Sequence, residues 1–167
     1  MAELEGKTAL ITGAGRGIGQ AIALAYAREG ANLSLAARSV AELEETAAEC
    51  RKFGAEVLIT PTDVTDVGQV ERLAAATIER YSTIDILVNN AGVPPGMGVT
   101  QFREMDPKEW AKFVDLNLYG VMNCTKAVID GMCERSFGRI INISSGAGQT
   151  GLGMGISIYG AGKGAAI

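Results

Sequence analysis

The chain has 167 residues, 47% of them hydrophobic and 20% charged, with a net charge of −4, the makeup of a globular domain that can bury roughly 70% of its unfolded surface. No basic patch stands out and no apolar run nears the ~18 residues of a membrane helix, so neither nucleic acid nor a membrane is expected as a partner. The absence of histidine excludes Ser-His-Asp and Cys-His catalysis, and Cys50, Cys124 and Cys133 lack CxxC spacing, so neither a disulfide framework nor a metal site is expected.

Met1–Lys7 is short and acidic, unlike a secretory leader, which points to a cytoplasmic location. Lys7–Thr12 then reads as a short apolar strand ending in glycines. Ile18, Ala21, Ile22, Ala25 and Tyr26 follow at helical spacing, and Gly30 supplies a stop. Asn32–Ala36 predicts a second strand. Ser39 with Glu42 forms a capping box that opens a helix running to Gly54. Glu56–Thr60 predicts a third strand, and Asp66 with Gln69 caps a helix carrying Val70, Leu73, Ala74, Ile78 and Tyr81 on one face. Ile84–Asn89 is almost wholly apolar, as a strand covered on both faces must be. Asp106-Pro107-Lys108-Glu109 is a helix start. Helical spacing continues through Trp110, Phe113, Val114, Val121, Val128 and Met132, with a break near Asn117–Gly120. Arg139–Ile143 predicts a fifth strand. Five glycines between Gly146 and Gly155 predict a pliable loop, and a last helix begins near Tyr159. The alternation of strands and helices predicts an α/β fold, a doubly wound parallel sheet in a single domain over residues 1–167.

Thr12–Gly19 lies between the first strand and the first helix. The literal G-x-G-x-x-G fails, because Gly13 and Gly15 would require a third glycine where Ile18 stands. The P-loop pattern fails too. Gly13, Gly17 and Gly19 fit G-x-x-x-G-x-G, and bare backbone at a helix N-terminus can approach a pyrophosphate. A plain glycine-rich turn is the alternative. Tyr159 and Lys163 are four apart on a helix and share one face. An ammonium held beside a phenol favours the phenolate, which suits proton exchange with a carbonyl or an alcohol; in isolation the pair is equally an ordinary helix surface.

Taken together, Thr12–Gly19, Asp63-Val64, Asn89-Asn90-Ala91-Gly92, Asn117, Ser145 and Tyr159–Lys163 resemble, in their order, the short-chain dehydrogenase/reductase family. The resemblance spans essentially the whole chain. It implies a Rossmann-type fold and hydride transfer between a nicotinamide dinucleotide and a ketone or secondary alcohol. The implied catalytic set is Asn117, Ser145, Tyr159 and Lys163. In it Tyr159 is the proton donor, Lys163 tunes it and binds the nicotinamide ribose, Ser145 orients the carbonyl, and Asn117 holds a water behind Lys163. Ser144 competes with Ser145; the gap to Tyr159 favours Ser145. The implied cofactor contacts are Gly13, Gly15, Arg16, Gly17, Ile18, Gly19, Arg38, Asp63, Val64, Asn90, Ala91, Gly92, Tyr159 and Lys163, with no metal. Arg38 directly follows the second strand, where an acid would bind ribose hydroxyls and an arginine accommodates a 2′-phosphate. With Arg16 as a second cation, NADP(H) is expected over NAD(H), two solvated surface arginines being the alternative. The Pro94–Gly98 and Gly146–Ile158 loops are expected to wall a substrate pocket, with Met97, Trp110, Phe113 and Met154 as weaker candidates.

A complete Rossmann sheet has six strands, and only five are readable, so the C-terminal strands and a substrate-covering segment are expected to be missing from these residues. A longer native chain that pairs as a homo-dimer or homo-tetramer follows from the resemblance. The rival function is a catalytically inactive cofactor-binding or scaffold fragment. A nucleotide-sugar epimerase shares the Tyr-x-x-x-Lys device, but the glycine spacing and the Asn89–Gly92 run argue against it.

Overall fold

Short runs of β-branched and apolar residues form one parallel sheet in the computed structural model, which describes residues 2–94, 96–151 and 155–167. The strands are β1 (Thr8–Thr12), β2 (Asn32–Ala37), β3 (Val57–Pro61), β4 (Ile86–Asn89) and β5 (Arg139–Asn142), in the order β3-β2-β1-β4-β5. Every pairing is parallel: Thr8–Thr12 runs beside Asn32–Ala36, and Ala9–Ile11 beside Ile86–Val88. β1 and β4 are buried along their whole length, whereas β5, at the edge, is largely exposed.

Because successive side chains of a strand face opposite ways, each central strand feeds two cores. Ala9, Ile11, Leu33, Leu35, Ile86 and Val88 point to one face. There they meet α1 (Gly17–Arg28) and α2 (Val40–Arg51) through Ala23, Ala27, Leu43 and Ala47. Leu10, Ala36 and Leu87 point to the other face, against α3 (Val67–Tyr81) and α5 (Gly120–Glu134) through Val70, Leu73, Cys124 and Val128. This is the doubly wound arrangement that the element order predicts. Burial pushes the Cys50 thiol up to about 11 and the Cys124 thiol up to about 12, so both stay protonated and act as small apolar packers.

Strand limits fall within two residues of their sequence limits; three local features differ. In α3 the inward face is Val70, Leu73, Ala74 and Thr77, while Ile78 is 47% exposed. Thr77 is tolerated inside because its hydroxyl donates to the Leu73 carbonyl (2.7 Å) and accepts from Ser34 Oγ (2.7 Å). Between α4 (Trp110–Val114) and α5 the helix widens into a π-helical turn over Asp115–Tyr119, which is the form taken by the expected break. Within the glycine-rich segment after β5, residues Gly146–Gln149 form a single helical turn, α6, because Ser145 Oγ accepts from the Ala147 amide (3.2 Å) and caps it. α7 (Ser157–Gly164) carries Tyr159 and Lys163.

The burial pattern of α3 separates two substitutions in urea unfolding: Leu73→Ala is expected to cost about 2–5 kcal/mol, and Ile78→Ala to stay within about 0.5 kcal/mol.

Candidate functional site

A cleft of about 740 Å³ opens beyond the carboxyl ends of β1 and β4, where the chain leaves β1 for one face of the sheet and β4 for the other. That is where open α/β sheets take ligands, and the volume suits a large small-molecule ligand.

Its floor is the turn after β1. Gly13 and Gly17 have φ of 63° and 59°, the left-handed region in which glycine is unstrained. Thr12 Oγ1 donates to the Val88 carbonyl (3.3 Å) and accepts from the amides of Asn90 (3.0 Å) and Ala91 (3.1 Å). Asn90 Nδ2 donates back to the carbonyls of Thr12 (3.0 Å) and Gly13 (3.1 Å). A Cβ on Gly19 would collide with the Gly13 carbonyl oxygen and Asn90 Nδ2, so Gly19 permits the packing of α1 on the strand end and does not itself line the cleft. Gly13, Gly15, Arg16, Gly17 and Ile18 do line it. The amides of Gly15, Arg16, Gly17 and Ile18 find no acceptor among the described residues. They are the free donors that a helix N-terminus offers to an anion, so the turn fits a pyrophosphate.

On the β2 side the cleft is lined by Ala37, Arg38, Ser39 and Glu42. Glu42 faces Arg16, with Nη1 to Oε1 at 3.9 Å. Asp63 and Val64 line the next stretch. Asp63 Oδ1 accepts from the Thr65 amide (3.0 Å) and hydroxyl (2.8 Å), while Val64 packs over Gly120. Asn90, Ala91 and Gly92 continue the wall from β4.

On the β5 side, Tyr159 and Lys163 of α7 both line the cleft. Lys163 is 5% exposed; its Nζ donates to the Ile143 carbonyl (2.7 Å), and burial lowers its pKa. Lys163 Nζ and Asn117 Oδ1 crowd the same point above Gly92, where a Cβ would lie 2.8 Å from Oδ1. Asn117 is wholly buried at the centre of the π-helical turn. Its Nδ2 donates to the Phe113 carbonyl (3.0 Å), but Oδ1 has no partner among the described residues. Ser144 lines the cleft yet gives its hydroxyl to the Lys163 carbonyl (2.7 Å). Ser145 Oγ accepts from the Ala147 amide, which leaves its own proton free.

Asn117, Gly19 and Ser145 thus flank the cleft, and the other expected site residues line it. Of the four weaker wall candidates, Met154 lies outside the described residues. Trp110 stacks on Phe102 (centroids 5.6 Å apart) and Phe113 is buried. Neither these two nor Met97 lines the cleft, whereas Pro94 does. The sequence does not mark Glu42, Lys112 and Asp115 as wall residues, yet all three line the cleft. Glu42 is visible there only as a capping-box acid; Lys112 lies on α4 and Asp115 opens the widened turn that follows it, a placement that periodicity does not reveal. Among the described residues no cluster of three metal-ligating side chains occurs, and no helix is long and apolar enough to cross a membrane.

A parallel doubly wound sheet with an anion-ready glycine turn at its switch point defines a nucleotide-binding α/β protein. The chain belongs to the short chain dehydrogenase family, whose profile matches residues 7–167. It is 40% identical over 152 residues to a 3-oxoacyl-(acyl-carrier-protein) reductase of Synechocystis, covering 90% of this chain and 60% of that protein. A solved NAD+-bound xylitol dehydrogenase superposes with a TM-score of 0.92 at 32% identity, over 98% of this chain and 62% of that one. An actinorhodin polyketide ketoreductase solved with NADPH gives 0.88 at 39% identity, over 99% and 62%. The chain therefore spans less than two thirds of the length of these relatives.

The folded protein holds the Lys163 proton less tightly than the unfolded chain does, so it gains on its unfolded form as pH climbs toward the ordinary lysine value of 10.5. Unfolding free energies of wild type and Lys163→Met, compared from pH 7 upward, should show wild type gaining on the variant as 10.5 is approached.

Proposed function

We propose that this chain is the dinucleotide-binding and catalytic portion of an oxidoreductase that moves a hydride between NADP(H), in preference to NAD(H), and a ketone or secondary alcohol. The observation that carries the proposal is the meeting, in one cleft, of an unpartnered amide turn bearing Arg16, Arg38 at the end of β2, and Tyr159 with Lys163 on the β5 side.

The amides of the Gly13–Gly19 turn hold the pyrophosphate against the N-terminus of α1. Arg38 and Arg16 face the adenine ribose and supply positive charge for a 2′-phosphate, with Asp63 and Val64 flanking the adenine. Glu42 and Asp63 line that side of the cleft too, and Glu42 faces Arg16, but Arg38 makes no ion pair among the described residues. When bound, the nicotinamide ring supplies or receives the hydride. Tyr159 gives its hydroxyl proton to the carbonyl oxygen in reduction and recovers it from the alcohol in oxidation. Lys163, fixed by the Ile143 carbonyl, stabilises the negative charge left on the phenol oxygen and reaches the nicotinamide ribose. Ser145 donates its free proton to the substrate oxygen. Asn117 Oδ1, buried beside Lys163, accepts from a water that carries the proton onward. A keto group on an acyl thioester is one substrate that this chemistry suits, and the Synechocystis relative is named for that reaction.

Two measurements test the proposal. Tyr159→Phe should lower NADPH-dependent turnover of a carbonyl panel by about 10²- to 10⁴-fold while leaving NADPH binding within about threefold; wild-type turnover by the variant removes Tyr159 from the chemistry. NADPH binding by the unsubstituted protein without turnover on any carbonyl would favour the binding-only alternative. Combining Ala37→Asp with Arg38→Ala should move the preference toward NAD(H), and equal use of both cofactors by the unsubstituted protein would refute the NADP(H) assignment.

A further inference from the structure

Thr46 stands in the middle of α2 and is wholly buried. A threonine inside a helix ordinarily returns its hydroxyl to the carbonyl one turn back. Here Oγ1 instead leaves the helix and donates to the Gly15 carbonyl at 3.1 Å. It also accepts from Gln20 Nε2 of α1 at 3.2 Å. One hydroxyl therefore ties α2, α1 and the glycine turn together, with both its donor and an acceptor position used. Glu42, one turn earlier on the same face of α2, packs against Gly15 so closely that a Cβ there would lie 2.8 Å from Glu42 Cβ. Gly15 is thus held by two residues of α2, one at its carbonyl and one at its α-carbon.

We infer that Thr46 is a positioning residue for dinucleotide binding: it fixes the Gly15–Arg16 peptide so that the Arg16 amide stays turned away from α2 and available to the anion. The inference rests on the functional reading above. Glycine-flanked peptides rotate readily, and a turn carrying Gly13, Gly15 and Gly17 has little of its own to prevent a flip. In a trans peptide the carbonyl and the N–H point in opposite directions. Holding the Gly15 carbonyl toward Thr46 therefore sets the Arg16 N–H on the opposite side, and that N–H has no acceptor among the described residues. Without the Thr46 hydroxyl, the flipped peptide would present a carbonyl oxygen where the pyrophosphate needs a donor.

The test is titration of wild type, Thr46→Val and Thr46→Ser with NADPH and with NAD+, followed by calorimetry or fluorescence, alongside the melting temperature without ligand. Valine keeps the volume and removes the hydroxyl; serine keeps the hydroxyl. T46V should weaken binding of both dinucleotides by about three- to tenfold, the range of one hydrogen bond. T46S should bind as wild type does, and kcat at saturating cofactor should be preserved in both. Equal affinity of T46V and wild type overturns the inference, as does T46S binding as weakly as T46V. Should T46V fail to fold, Thr46→Cys, with its weak donor, reads the same comparison: weakened binding supports the inference and unchanged affinity overturns it. A wild-type protein that binds neither dinucleotide overturns the functional reading and this inference with it, a result distinct from equal binding by wild type and T46V.

Discussion

Backbone pressed against backbone at the end of β1 is the constraint from which the rest of the site follows. Gly19 allows the first turn of α1 to rest on the Gly13 carbonyl, and the Asn90 amide nitrogen fills the remaining gap. No side chain larger than a hydrogen fits at Gly19. The close approach closes the sheet at β1 and β4 through Thr12 and Asn90. It also leaves the amides that begin α1 facing a cleft with no protein acceptor of their own among the described residues. Stability and an anion-ready turn are served by the same geometry, because the hydrogen bonds that fix the turn use its carbonyls and the Ala14 amide and spare the amides of Gly15 to Ile18.

The β5 side of the cleft obeys a different rule. Among the described residues Lys163 is buried with neutral neighbours, the Ile143 carbonyl and the Asn117 side chain beside it, so burial disfavours its charge. A lysine placed purely for stability would meet a carboxylate or reach solvent. Asn117 is likewise unfavourable: a buried carboxamide whose oxygen has no partner among the described residues is worth less to the fold than an apolar side chain of similar size. Both groups converge over Gly92, where the missing side chain makes room for them. Three unfavourable choices at one point fit a site kept for chemistry, and the widened helical turn at Asp115–Tyr119 belongs with them, since such turns gather where function overrides regular helix geometry.

Much of this is legible in the sequence, for reasons that differ by residue. The strands are readable because a parallel sheet covered on both faces needs continuous apolar runs, and Ile86–Asn89 supplies one. The helix starts at Ser39 and Asp66 are readable because capping is local: each side chain accepts from an amide three residues on. What escapes reading depends on rotation and on distant partners. Ile78 fits the apolar face of α3 by spacing, but Thr77 takes the inward place because Ser34 on β2 offers it a partner. Asn117 reads as a helix break; that the break is a widened turn directing a carboxamide toward Lys163 depends on α7, which lies far along the chain. Glu42 is legible as a cap and illegible as a wall of the cleft, since nothing local states that α2 begins beside Arg16.

The position of α2 joins these two kinds of information. Arg38 immediately precedes its Ser39 cap and Glu42 lies in its first turn, both on the cleft wall, and its second turn carries Thr46 to the Gly15 carbonyl. The glycine turn and the Arg38–Glu42 wall are therefore not independently adjustable: a shift of α2 along its axis would move both the charges on that wall and the tether on the turn. Leu43, Ala47 and Cys50, all fully buried against β2 and α1, resist that shift. A close-packed interface has few intermediate arrangements, so the helix is held in one register. On this account the apolar face of α2 is itself a determinant of the geometry of the glycine turn, acting through Thr46.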